Sequence, residues 1–393
     1  MTAPMYWNPY DRDVVTNPYP TYRQLRDEAP VYRNDALDLY ALSRYEDVLA
    51  AHLDPHTYSS THGVTIEGID AGAPYLIVQD APQHTWHRKI VSRVFTPRRI
   101  GDLEPFIRRR AAELLAAGLQ DGRIDVVEAF SMRLPLDVIS ELIGIPEGQR
   151  EHVHTLSDGL ADALGRADTG DAFRWVEELR QLLLGLVRER RKTPGDDVIS
   201  LLINSPVEDA DGHERMLDDD ELSYRFIELA FAGHETVAKQ IANGVVALAW
   251  YPDQRRQLVE DPSLMPLAVE EMLRWDPPSH YQGRWTTREV DLHGVTIPAD
   301  VRVVLLTGSA VHDERQFPEP ELFDIHRRPE RHVTFGFGIH LCLGAALARL
   351  ETRIAFEELL RRLPEYEIEK AGVVRAFSSN VRGLQHLPIR ATT

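Results

Sequence analysis

The chain has 393 residues, a formal net charge of −18, 43% hydrophobic residues and a single cysteine. The acidic surplus argues against nucleic acid as a partner, and one thiol excludes an internal disulfide or a multi-cysteine metal cluster. The apolar content is enough for a large core, yet no apolar run approaches the ~20 residues that span a membrane.

Met1 to Tyr10 has neither a basic head nor an apolar run, so no signal peptide or membrane anchor is expected. The lone thiol suits a reducing cytoplasm. Neither repeats nor low-complexity segments interrupt the chain. Helical periodicity dominates, and extended segments are predicted around Val31 to Leu42, Val290 to Leu306 and Phe377 to Ile389. His293-Gly294 and Pro298-Ala299 read as turns within the middle set.

His84 and Arg88 stand four apart in a predicted helix, about one turn, and can reach a common anion. Arg88, Lys89, Arg93, Arg98 and Arg99 form a basic cluster on an acidic background, in a chain whose only lysines are Lys89, Lys192, Lys239 and Lys370. A long apolar-periodic helix is predicted from about Glu221 to Trp250, with Asp218, Asp219 and Asp220 at its positive end. Within it stands Ala232-Gly233-His234-Glu235-Thr236. A mid-helix glycine costs about 1 kcal/mol relative to alanine, so Gly233 calls for a packing or functional reason. His234-Glu235 begins a His-Glu-x-x-His zinc pattern, but the second ligand position is Ala238, and zinc is set aside. Glu228 lies one turn before Ala232, on the same face. Glu271 and Arg274, spaced i, i+3 on an amphipathic stretch ending before Pro277-Pro278, share one helix face.

Cys342 closes the run Phe335-Gly336-Phe337-Gly338-Ile339-His340-Leu341-Cys342-Leu343-Gly344. Most lone cysteines are small buried hydrophobes. Here Gly336, Gly338 and Gly344 permit a tight fold under a flat ligand. A helix starting at or just after Cys342 would favour the thiolate. The third glycine of a dinucleotide fingerprint is missing, since position 341 is leucine, and no phosphate-loop Gly-Lys-Ser/Thr is present.

Phe335-x-x-Gly338-x-x-x-Cys342-x-Gly344 resembles the haem-binding signature of the cytochrome P-450 superfamily, and the other motifs follow in that family's order over essentially the whole chain. The resemblance implies one domain over 1–393, mainly α with small β-sheets, and haem b between the long central helix and the helix of the cysteine loop. Cys342 would ligate the iron, favouring O–O cleavage. His84, Arg88, Arg284 and His340 would hold the propionates. Ala232 and Gly233 would form the oxygen groove, with Thr236 bonding O2 and Glu235 delivering protons; the second hydroxyl residue common in the family is replaced by Val237. Glu271, Arg274 and Arg327 would be the structural ion pairs. The implied enzyme is a soluble bacterial monooxygenase of secondary metabolism, monomeric and cytoplasmic. It would hydroxylate a small hydrophobic substrate with electrons from an iron–sulfur ferredoxin or flavodoxin-type donor steered to the basic cluster.

By the same resemblance the substrate pocket draws on the loop from Ser59 to Asp80, helices between about Glu151 and Arg190, and the segments around 279–283 and 380–381. Phe231, Ala232, Val381, His280 and Tyr281 are its expected liners. Glu228 is either an anchor for a basic or hydroxylated substrate group or half of a structural pair, the commoner fate of a buried acid. A peroxygenase, an oxidative coupling enzyme and a non-catalytic haem ligand-binding protein stay open as alternatives. Glu235 and Thr236 argue against the first, and Thr236 with the basic cluster argues against the last.

Overall fold

The computed structural model describes residues 6–68, 71, 74–165, 169–208, 212–329 and 331–392. About 54% of the described structure is helical and the sheets are small, as expected for a mainly α protein. The main apolar core runs from Ile90 to Ile389, and smaller clusters gather around Val31 and Trp7. No helix among the described residues is long and apolar enough to cross a membrane.

The principal sheet has five strands, in the order Val31–Asn34, Leu39–Leu42, Arg302–Leu305, Gln282–Thr286 and Tyr58–Ser59. Leu39–Leu42 pairs in parallel with Arg302–Leu305, matching Ala41 to Val304, and the other pairings are antiparallel. The predicted turn at His293-Gly294 joins the hairpin Val290–Leu292 and Val295–Ile297; both turn residues have positive φ, 50° and 78°, as a two-residue hairpin loop requires. The extended segment expected from Phe377 to Ile389 is only partly strand. Pairing begins at Leu384, and 377–383 forms a loop with one bridge, Val381 to Ser279.

The central helix starts as its sequence dictates. The Asp218 carboxylate accepts the Glu221 N–H at 2.8 Å, and the Glu221 carboxylate accepts the Asp218 N–H at 2.9 Å, a capping box that satisfies two free donors. It does not run unbroken to Trp250. It divides into Asp219–Ala232 and Glu235–Trp250, with His234 at φ −100° and ψ −74°. The His234 imidazole leaves for the Met132 carbonyl, 2.8 Å away. This bond to a neighbouring element explains a break that apolar periodicity reads straight through.

Glu271 and Arg274 on the helix Met265–Trp275 form a bidentate pair at 2.7 and 2.8 Å, both side chains 0% exposed. Arg327 Nε donates to Glu271 Oε1 at 3.2 Å, and the Asp324 N–H donates to the same oxygen at 3.0 Å. Arg274 continues to the carbonyls of Val311 and Pro320 at 3.0 and 2.9 Å. Every polar atom of the carboxylate is thus engaged, as a buried ion needs.

Candidate active site

The cysteine loop is a sequence of tight turns. Val333–Phe335 and Gly338–His340 each make one 3₁₀ turn, and Gly336 and Gly338 take φ values of 65° and 67°, a region costly to any residue with a Cβ. Gly338 also lies against the end of the helix Tyr45–Leu53, where a Cβ would sit 2.5 Å from the His52 carbonyl oxygen. The Cys342 N–H closes the loop on the Phe335 carbonyl at 2.9 Å, and the Phe335 ring carries the Arg349 guanidinium 4.6 Å from its centre. The following helix, Ala345–Arg362, begins three residues beyond the cysteine, with Gly344 as its cap. Burial of the sulfur pushes the Cys342 thiol up, opposed by the N–H groups of Gly344 and Ala345 and by Arg88 and Arg349. The residue itself is open to solvent on one side; the packing around the sulfur sets the direction of the shift.

Beside this loop the fold gathers two arginines and a group of imidazoles around a single carboxylate, Asp80. His84 is on the helix Gln83–Val91, and its ring lies 4.4 Å from that of His340. His340 meets the Ser60 hydroxyl at 3.1 Å, and Arg88 donates to the Leu341 carbonyl. Arg284, 4% exposed on the strand Gln282–Thr286, donates to the Gly283 carbonyl at 2.7 Å. Both ring nitrogens of His84 lack a partner, as do both of His52. Burial draws Arg284 down to about 10. Burial, then Arg88, draws His84 to about 4. Burial, then Arg284 and the neighbouring imidazoles, draws His340 to about 2. Donors gathered around the buried Arg284, with only Asp80 as its counter-charge, fit an anionic ligand.

His52 belongs to this group and was missed by the sequence reading. Burial and Arg284 hold it near 3. The available signal was a histidine interrupting the apolar face of Val48 to Leu53, which did not say where that face would dock.

At the break in the central helix the Thr236 hydroxyl donates to the Ala232 carbonyl at 3.1 Å, bridging the two halves. Ala232 is exposed, and Phe231, Gly233, Glu235 and Thr236 are partly so, leaving this stretch of helix surface open to a ligand. The turn bearing Val381 is held by Asn380, whose Oδ1 accepts the N–H groups of His280 and Tyr281, each at 3.1 Å.

Three expected pocket liners have other partners. Glu228 accepts the N–H groups of Leu76 and Ile77 at 2.9 and 3.0 Å and Arg225 Nη1 at 3.1 Å. It is the structural pair, not a free anchor; burial pushes its carboxyl up, and Arg225 with the two N–H groups opposes this. His280 is buried between Tyr19 and Tyr22, its Nδ1 3.1 Å from the Tyr22 hydroxyl. The Tyr281 hydroxyl meets Ser379 at 3.2 Å, and its ring joins the cluster of Trp7, Tyr22 and Leu25. Aromatic packing from the N-terminal segment takes both side chains into the core. Residues 69–70, 72–73 and 166–168 of the expected pocket segments lie outside the described residues. A groove of about 550 Å³ lined by His152, Glu177 and Glu189 shares no residue with this site.

Glu228→Leu strands two backbone donors and the buried Arg225. Its expected cost is about 3 kcal/mol, read as a lower urea midpoint, together with faster proteolysis in residues 74–80.

The family model described as Cytochrome P-450 matches residues 160–371. The chain is 39% identical over 390 residues to "Putative cytochrome P-450 123" of Mycobacterium bovis, covering 97% of this chain and 96% of that one. It is 39% identical to the vitamin D(3) 25-hydroxylase of Pseudonocardia autotrophica, covering 95% and 93%. Among solved structures, ligand-free cytochrome P-450 TbtJ1 superposes with a TM-score of 0.88 at 35% identity, covering 97% and 98%.

Proposed function

The chain belongs to the cytochrome P-450 family of monooxygenases, and on that premise we propose that Cys342 holds the iron of haem b and that the enzyme hydroxylates a small, largely hydrophobic molecule. The observation that carries the reading is the pair of buried groups Arg284 and His84, the latter with both ring nitrogens unpartnered, flanked by the half-buried His340 and Arg88 beside the cysteine loop. Haem brings two propionates to such a pocket, and when bound it supplies activation of O2 and transfer of one oxygen atom. The balance is RH + O2 + 2e⁻ + 2H⁺ → ROH + H2O, so two protons must reach the site.

This chain's residues divide that work. Arg284 and His84 fix the cofactor's carboxylates, and the N–H groups of Gly344 and Ala345 stabilise negative charge on the sulfur. Thr236 donates to the Ala232 carbonyl at 3.1 Å, so its oxygen lone pairs are free to accept a hydrogen bond while its own hydrogen is held. Released from that carbonyl, the same hydroxyl would be able to donate into the open groove beside Ala232 and Gly233. Glu235 is adjacent and partly exposed, placed to resupply the proton from solvent. Phe231 and Val381 give the substrate an apolar wall.

Electrons come from a separate protein, for which we propose a small acidic iron–sulfur or flavin carrier. Lys89, Arg93 and Arg98 are exposed, and Arg88, next to Lys89, donates to the carbonyl of Leu341, itself exposed on the cysteine loop. Opposite charge speeds such encounters.

The test is the visible spectrum of the dithionite-reduced protein with carbon monoxide. A strongly red-shifted Soret band is expected for the wild type and its loss for Cys342→Ser. A histidine-type band in the wild type would refute thiolate ligation.

A further inference from the structure

Lys239 is a buried charge that the mechanism above does not use. It lies on the half-helix Glu235–Trp250, one turn after Glu235, and is 6% exposed. Its Nζ donates to the Leu384 carbonyl at 3.0 Å. Its stem crosses Gly383 so closely that a Cβ there would come within 2.4 Å of Lys239 Cδ. Gly383 thus leaves room for this one long side chain.

An ammonium has three donors, and the Leu384 carbonyl takes one. No carboxylate lies within 4.0 Å of it among the described residues. Burying such a charge costs several kcal/mol unless another charge offsets it, and an apolar side chain would fill the same space at no such cost. Glu235 is the charge within electrostatic reach that favours the ammonium; burial opposes it. Two features favour attraction between the two, which are not in direct contact. Glutamate four residues before lysine is the favourable order on a helix, and helical side chains lean back toward the N-terminus, which carries the Lys239 stem toward the turn of Glu235. Glu235 forms no hydrogen bond to another described residue, so this attraction is free to decide where its carboxylate rests.

We propose that Lys239 is a positioning residue for proton delivery, the counter-charge that sets the resting place of the Glu235 carboxylate beside Thr236. The proposal rests on the reading of Glu235 as the acid that resupplies Thr236. Mispositioning the acid slows the protons needed to split O2. The two electrons and two protons then leave as H2O2 (O2 + 2e⁻ + 2H⁺ → H2O2), and less oxygen goes on to water.

The experiment compares wild type, Lys239→Met, Glu235→Gln and the double variant, all haem-loaded. Met keeps the stem over Gly383 and removes the charge; Lys239→Gln replaces it if Lys239→Met does not fold. Denaturant unfolding gives a double-mutant cycle, and the two substitutions are expected to be non-additive by about threefold or more in the unfolding constant. Additivity means that Lys239 only packs, and overturns the proposal. Turnover without organic substrate, driven by a plant-type [2Fe–2S] ferredoxin and its reductase, gives the share of electrons lost as peroxide. Lys239→Met is expected to raise that share about as much as Glu235→Gln does, and Lys239→Arg to restore it. If Glu235→Gln raises it and Lys239→Met does not, the proposal fails alone. If neither raises it, the reading of Glu235 fails as well.

Discussion

Glu271→Leu is expected to yield no stably folded protein. The Glu271 carboxylate is fully buried and accepts two bonds from Arg274, one from Arg327 and one from the Asp324 N–H. Leucine leaves the Arg274 charge buried with backbone carbonyls alone. Breaking such a pair costs about 3–5 kcal/mol, and the stranded N–H adds about 1–3 kcal/mol. The sum rivals the whole stability of an ordinary domain, about 5–15 kcal/mol. Circular dichroism and urea unfolding of the soluble fraction would check it, with Glu271→Gln expected to fall between. By contrast, removing the exposed carboxylate of Glu177 from its pairing with Arg180 is expected to cost no more than about 1 kcal/mol. A Glu271→Leu protein as stable as wild type would mean that the ion pair is dispensable to the fold.

Arg284→Leu is expected to move the haem-free and haem-loaded proteins in opposite directions. The guanidinium is buried, donates to the Gly283 carbonyl and is drawn down to about 10 by burial. Replacing a poorly paired buried charge by an apolar side chain stabilises the haem-free chain by about 1–3 kcal/mol. The same change removes a charge-assisted bond from the loaded protein, worth about 3 kcal/mol, or roughly a hundredfold in haem affinity. Because a ligand stabilises only the state that binds it, the gap between the two unfolding midpoints should narrow. Urea unfolding of both forms, with haem transfer to apomyoglobin for the off-rate, reads each sign separately. A loss of stability in the haem-free variant would contradict this account of the pocket.

The features legible in the sequence are those that a short window encodes. The glycines of the cysteine loop announce a turn that only glycine tolerates, and Asp218 with Glu221 spells out a helix start. The spacing of Glu271 and Arg274 puts both on one face, although only their burial makes them important. What stayed hidden depends on which surfaces meet. The pairing of Glu228 with an arginine of its own helix, Arg225, is foreseeable from the sequence, but its other partners are the main-chain N–H groups of residues 76 and 77, which leave no mark in side-chain identity. His280 and Tyr281 were assigned to the pocket because their segment passes it, while packing against Tyr19, Tyr22 and Trp7 decides where their rings go. The break at His234 follows from one carbonyl more than 100 residues earlier, and apolar spacing carries no trace of it.

The grip of Glu228 on residues 76 and 77 has an evolutionary consequence. It holds the chain by groups that every amino acid except proline supplies. Ile77, 41% exposed, can therefore be exchanged freely while the loop stays moored to the central helix at the same height. A lineage could rewrite the side chain at this position without having to reinvent the attachment. The mooring is indifferent to what it moors, which leaves the loop open to change and the helix beneath it constrained.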